Sequence, residues 1–226
     1  MFSEIVDSVA RKTGRPDQIL GSNISDYVNS TIRECQTLAL FYKDLTEDTI
    51  TNSGSPVIWT YPPLIWKMRT VKYPDGSFPP MIQPGRNQMD KEQYYYAASD
   101  YYVFVGTNIT GVYDLVPIKC AYYSYLPRLS YYKDGQRPAV YDEAAGQWVY
   151  LDPTITDDNM PAAILARKRV TNWLLSGYPD LITEGAMAKV FKTTGDQNRA
   201  VTSYSLYKQL QVALVNSEAY EAVQNG

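Results

Sequence analysis

Apolar positions recur with a helical period at both ends of the chain and with a shorter rhythm in its middle. Phe2, Ile5, Val6 and Val9 fall on one stripe that stops at Gly14, with Pro16 beyond it, which predicts a short amphipathic helix with a glycine stop. A second helix is expected from Ser25 or Asp26, because Val28, Ile32, Cys35, Ala39 and Tyr42 then repeat at spacings of four, three, four and three. From about Leu45 to Pro153 the texture changes to Pro, Gly, Thr and Tyr, with short apolar runs at 57–60, 101–105 and 116–125 that read as strands. Tyr73-Pro74-Asp75-Gly76 and Lys133-Asp134-Gly135 have the chemistry of tight turns. Ala139-Val140-Tyr141 and Trp148-Val149-Tyr150, on either side of an Ala-Ala-Gly loop, predict a hairpin.

The helical period returns after Asp157-Asp158-Asn159, where Pro161 suits a first turn and Ala163, Ala166, Val170 and Trp173 line one face as far as Gly177. Pro179-Asp180 opens another helix carrying Ile182, Ala186, Val190 and Phe191 and ending at Gly195, after which Asp196 is placed to cap a last helix. That helix sets Ala200, Tyr204, Tyr207, Leu210 and Leu214 at spacings of four, three, three and four before turning polar at Asn216. Each helical block alone is too short to bury much apolar surface. The expected fold is therefore α+β, with N- and C-terminal helices (1–45 and 154–226) forming one bundle and a Tyr-rich antiparallel β domain (46–153) inserted centrally.

Composition narrows the chemistry. The 226 residues include 21 Lys and Arg, 24 Asp and Glu and no His, for a formal net charge of -3. No global positive field favours nucleic acid or anionic lipid. The lack of histidine removes Ser-His-Asp and Cys-His nucleophiles and His-ligated zinc. Cys35 and Cys120 are too few for a thiolate metal cage and read as reduced, buried thiols. No basic stretch with an apolar run opens the chain and no apolar segment approaches the roughly 18 residues of a membrane span, so synthesis in a cytoplasm is expected, with no membrane association. Asn-Xaa-Ser/Thr triplets at Asn23, Asn29 and Asn108 are short enough to arise by chance.

Four constellations bear on the chemistry. Of the 21 tyrosines, 13 lie between Tyr94 and Tyr150, often adjacent. Neighbours in a strand point to opposite faces, so the rings serve either a contact surface or cross-strand packing. Asp114, Asp142 and Glu143 lie where a glycosidase pair would be placed, although acids beside Gly and Pro more often cap turns. Arg167-Lys168-Arg169 would spread around a helix rather than converge on phosphate, and Gly14, Gly21, Gly106 and Gly111 do not form a phosphate-cradling loop. The C-terminal helix, with Tyr204, Tyr207, Leu210, Leu214 and Tyr220, reads either as a core helix or as one that docks into a neighbour's groove.

The chain also resembles a phage head-to-tail adaptor (connector, or head-completion) protein of the podovirus type. The resemblance runs through Val9-Ala10-Arg11, Thr13-Gly14-Arg15-Pro16-Asp17, Tyr27-Val28-Asn29, Ile32-Arg33-Glu34-Cys35-Gln36 and Leu40-Phe41-Tyr42-Lys43-Asp44. At the other end it runs through Ala188-Lys189-Val190-Phe191-Lys192, Gly195-Asp196, Arg199-Ala200 and the closing helix from Tyr204 to Glu218. It implies a helical bundle with a β insertion, assembled as a twelve-fold homo-oligomeric ring beneath the portal protein at the head-tail junction of the virion. It implies further that Tyr204 to Gly226 reach onto the portal, that other faces receive tail nozzle or fibre proteins, and that DNA passes through the channel without specific binding. No enzymatic activity and no cofactor are expected on this reading. Two rivals remain: a tail-associated carbohydrate-binding module using outward tyrosines and Trp148, and a His-free glycosidase using Asp142 and Glu143.

Overall fold

The computed structural model describes residues 1–20, 23–51, 56–83, 93–106, 115–133, 136–156, 158–165 and 167–224, with the side chains of 163 and 219–224 excepted. They fall into two compact units, one comprising residues 1–43 and 126–226 and the other residues 44–125.

The first unit opens with α1 (Phe2–Thr13), closed by Gly14 in the left-handed conformation at φ 70°, where glycine avoids the steric penalty of a Cβ. After a short 3-10 turn comes α2 (Ile24–Gln36). The second unit holds two three-stranded antiparallel sheets. β1 (Leu45–Ile50), β3 (Ile65–Lys72) and β6 (Ile118–Ser124) form one in the order β1-β6-β3, while β2 (Val57–Thr60), β4 (Tyr94–Ala97) and β5 (Tyr101–Val105) form the other in the order β2-β5-β4. Their facing sides share a core of Ile50, Val57, Val71, Tyr73, Tyr95, Tyr102, Phe104, Ile118, Cys120 and Tyr122. The chain then returns to the first unit through the β7 (Ala139–Asp142) and β8 (Gln147–Tyr150) hairpin, α3 (Ala162–Leu165), α4 (Trp173–Gly177), α5 (Pro179–Thr194) and α6 (Gln197–Gln224).

Mixed α and β content agrees with the sequence, but the expected bundle around one central β insertion does not form. The β structure is three separate sheets, and the β7–β8 hairpin belongs to the helical unit. The helices do not close on one another alone. Leu129 and Tyr131, from an extended segment, are buried among Phe2, Val6, Val28, Ile32, Leu181 and Ile182. Asn29 holds that segment as a strand neighbour would: its side-chain oxygen accepts from the Leu129 N–H at 2.8 Å and its amide donates to the Leu129 carbonyl at 3.2 Å. Asp26 Oδ1 accepts from both Arg128 (3.0 Å) and Trp148 Nε1 (3.1 Å), pinning the hairpin to α2.

The long helix expected up to Gly177 is also replaced. α3 is four residues, and α4 starts only at Trp173, capped by Asn172 accepting from the Leu175 N–H at 2.9 Å. Between them local turns reach Lys168, whose N–H donates to the Ile164 carbonyl at 3.1 Å, and the carbonyls that follow bond outward. The Arg169 carbonyl accepts from the Ser130 N–H at 2.6 Å and the Val170 carbonyl from the Phe2 N–H at 3.0 Å. Carbonyls committed to other segments cannot also close helical turns, so tertiary pairing overrides the local period. Ala166, on the expected stripe, lies outside the described residues.

Candidate docking surface

The last two helices form a hairpin. α5 ends at Gly195 (φ 80°), and Asp196 caps α6 by accepting from the Arg199 N–H at 3.2 Å. α5 approaches α2 and α6 closely because position 185 is glycine. A Cβ there would collide with the Thr31 methyl and stand 2.8 Å from the Tyr207 ring.

Of the docking residues expected from the sequence, Tyr207 (3% exposed) and Leu214 (0%) lie in the helical core, with Leu210 partly buried against it. The Tyr207 hydroxyl donates to Glu34 Oε2 at 3.3 Å and lies 3.6 Å from the Cys35 sulfur. Burial, then the neighbouring Cys35 and Glu34, holds that hydroxyl's pKa well above the ordinary tyrosine value. These residues are committed to the chain's own core, so no partner reaches them without rearrangement. Tyr204 is 52% exposed, and the side chain of Tyr220 lies outside the described residues.

Tyr204 belongs also to a second apolar stripe, which runs along α6 on the flank of the inner one, with the Tyr204 and Tyr207 rings 6.4 Å apart. Val201 (63% exposed), Tyr204, Val212 (61%) and half-buried Val215, with Lys208 between them, recur at spacings of three, four, four and three. Leu206 is also exposed, so apolar residues lie on both flanks of the inner stripe. A surface helix normally confines them to one face. Where this stripe meets α5 it borders an open groove of about 520 Å³, floored by Gly185, Ala188, Ala200, Val201, Tyr204 and Tyr207. Lys189, Lys192 and Lys208 stand around it with Glu34. Lys189 pairs with Glu34 at 2.7 Å, whereas the Lys208 ammonium lies over the rings of Tyr204 and Tyr207, at 5.4 and 5.8 Å.

α6 is anchored near its far end. Glu218, buried, accepts from Lys43 Nζ at 2.8 Å and from the Tyr178 hydroxyl at 3.0 Å. At 28 residues the helix is about 42 Å long, and it continues beyond this anchor to Gln224.

The remaining candidates are engaged elsewhere. Tyr95, Tyr102, Tyr122 and Tyr123 are buried in the second unit, while Tyr94, Tyr96 and Tyr101 are half-buried. Trp148, besides its bond to Asp26, meets Tyr141 edge-on at 5.3 Å. Asp142 Oδ1 accepts from the Ala144 and Ala145 N–H groups, and Glu143 accepts from the Arg128 N–H at 3.1 Å, so both acids hold turns. Asp114 lies outside the described residues. Arg167 pairs with Asp142 at 3.2 Å and Lys168 lies over the Tyr132 ring at 3.9 Å, so the basic run diverges.

The spacing that joins Tyr204 to Tyr207 on one stripe leaves out Val201 and Val212. The signal that separates them is the second series from Val201 to Val215, which competes with the inner one along the same residues. The chain matches no known protein-family model and no curated protein.

Proposed function

We propose that the protein is a virion structural component, a head-to-tail adaptor that joins the portal to the tail and extends the DNA channel as a ring. The observation that carries this reading is the second apolar stripe of α6. A helix that already buries Tyr207 and Leu214 inside the chain still offers Val201, Tyr204 and Val212 to solvent, which is the pattern of a helix shared between its own core and a neighbour. The acidic net charge is consistent with a channel wall along which DNA slides without binding. On this reading the helix docks on the portal through its outer stripe, and the inner stripe holds it to its own subunit.

The structure also dictates the form of the test. Deleting Tyr204 to Gly226 would remove Tyr207 and Leu214 from the core and unfold the helical unit, so the outer stripe has to be altered alone. Val201→Asp combined with Val212→Asp places charges on exposed positions and leaves the core intact. The expected outcome is an unchanged circular dichroism melt with portal co-sedimentation lost. Portal binding undiminished in this variant would reject the outer stripe as the docking face.

A further inference from the structure

We infer that the groove between α5 and α6 seats an acidic amphipathic helix of another protein, with its apolar side chains on the floor at Ala188, Val201 and Tyr204 and its carboxylates at Lys192 and Lys208. The inference rests on the reading of α6 as the docking element and adds the chemistry of what docks there.

Shape and charge lead to it separately. The groove is an open trough between two packed helices, and the apolar positions beside it repeat at three and four along α6, the spacing that another helix's ridges meet. The charged side chains around it are three lysines and one glutamate, in a chain whose overall charge is -3. Glu34 is taken up by Lys189. Among the described residues Lys192 and Lys208 make no ion pair, Lys208 donating instead to the neutral Gln211 Oε1 at 2.8 Å, while Lys43, Lys133 and Lys189 each have a carboxylate. Two ammonium groups without a carboxylate beside an apolar floor favour a partner that brings carboxylates and repel one that brings lysines.

The same charges argue against a two-fold pairing of this face with a second copy of the chain. The apolar faces of α1, α2 and α5 are buried in their own core, which among the described residues leaves α6 as the helix with an outward apolar stripe. Its stripe carries Lys208, and a two-fold pairing would set this lysine-bearing face against itself.

The test uses the full chain and two labelled synthetic peptides of three heptads, with Leu at positions a and d and either Glu or Lys at e and g. Fluorescence anisotropy should show the Glu peptide binding one to one, at least about tenfold more tightly than the Lys peptide. Lys192→Glu and Lys208→Glu should each weaken the Glu peptide about tenfold, and raising salt toward 1 M should weaken it further, since screening then acts within about 3 Å. No binding of the Glu peptide, equal binding of both peptides, or insensitivity to both substitutions would overturn the inference. So would self-association of the chain, measured by sedimentation, that Val212→Asp abolishes, because the face would then belong to a second copy. Portal binding without acidic selectivity would overturn this inference alone. Acidic selectivity without portal binding would count against the adaptor reading and leave this inference standing.

Discussion

Several side chains that carry reactive groups are buried as neutral species. Burial pushes the Cys35 thiol up to about 11 and the Cys120 thiol up to about 12, from an ordinary 9.0. Burial also raises Tyr102, from 10.0 to about 12, with Tyr61 and Tyr95 adding smaller increments. Each group is uncharged when protonated and its folded value lies above its unfolded one. Its contribution to stability is therefore complete below pH 9 and disappears as pH rises toward 12. The urea midpoint should hold up to about pH 9 and fall steadily above it, with tyrosinate absorbance and thiol reactivity appearing together with unfolding. Thiols that react in the folded protein at pH 8 would contradict this burial. The sequence already indicated reduced, buried cysteines, because two thiols far apart in a helix and a strand suit no metal cage. It could not indicate that Tyr207 shares a polar contact with Cys35 across two helices.

At the scale of elements, α6 is fixed at one end by Gly185, which lets Tyr207 approach α5, and at the other by Glu218. The two partners of the Glu218 ion pair are not equivalent: the Glu218 side chain is 5% exposed and that of Lys43 is 42%. Lys43→Met should cost about 2 kcal/mol, because it strips the buried carboxylate of its countercharge and leaves the Tyr178 hydroxyl to serve it. Glu218→Gln should cost less than about 1 kcal/mol, since the amide still accepts from Tyr178 and Lys43 turns to water. Urea unfolding of both variants checks the order, and equal or reversed costs would contradict it. Helix ends were legible wherever a glycine had to adopt positive φ, as at Gly14 and Gly195, and the β7–β8 hairpin was legible from its paired runs. The long helix before Gly177 was not, because the carbonyls of Arg169 and Val170 bond to Ser130 and Phe2, far away in sequence. The faces of α6 were not legible either. With Val201, Tyr204, Leu206 and Val212 all outside the inner stripe, period alone does not say which face meets the core.

At the scale of the whole molecule, five of the 13 tyrosines between Tyr94 and Tyr150 are buried, and Tyr73 is buried with them. Tyr73, Tyr95, Tyr102, Tyr122 and Tyr123 pack within the second unit and Tyr131 within the first, so these rings substitute for aliphatic core rather than offering flat surfaces to sugars. Trp148, which the carbohydrate-binding alternative would use, is engaged by Asp26 and Tyr141. The second unit was expected as one insertion running to residue 153, and its compact part ends at Tyr125, because residues 126–131 are drawn into the helical core by Asn29 and by the burial of Leu129 and Tyr131. The proposed function depends on assembly, and the most direct measurement is the molar mass of the purified chain, alone and mixed with a candidate portal protein, by light scattering on a sizing column. The account predicts a new ring-sized species containing both proteins, absent when Val201 and Val212 are both replaced by Asp. Two unshifted peaks, each at the mass of its own component, would contradict it.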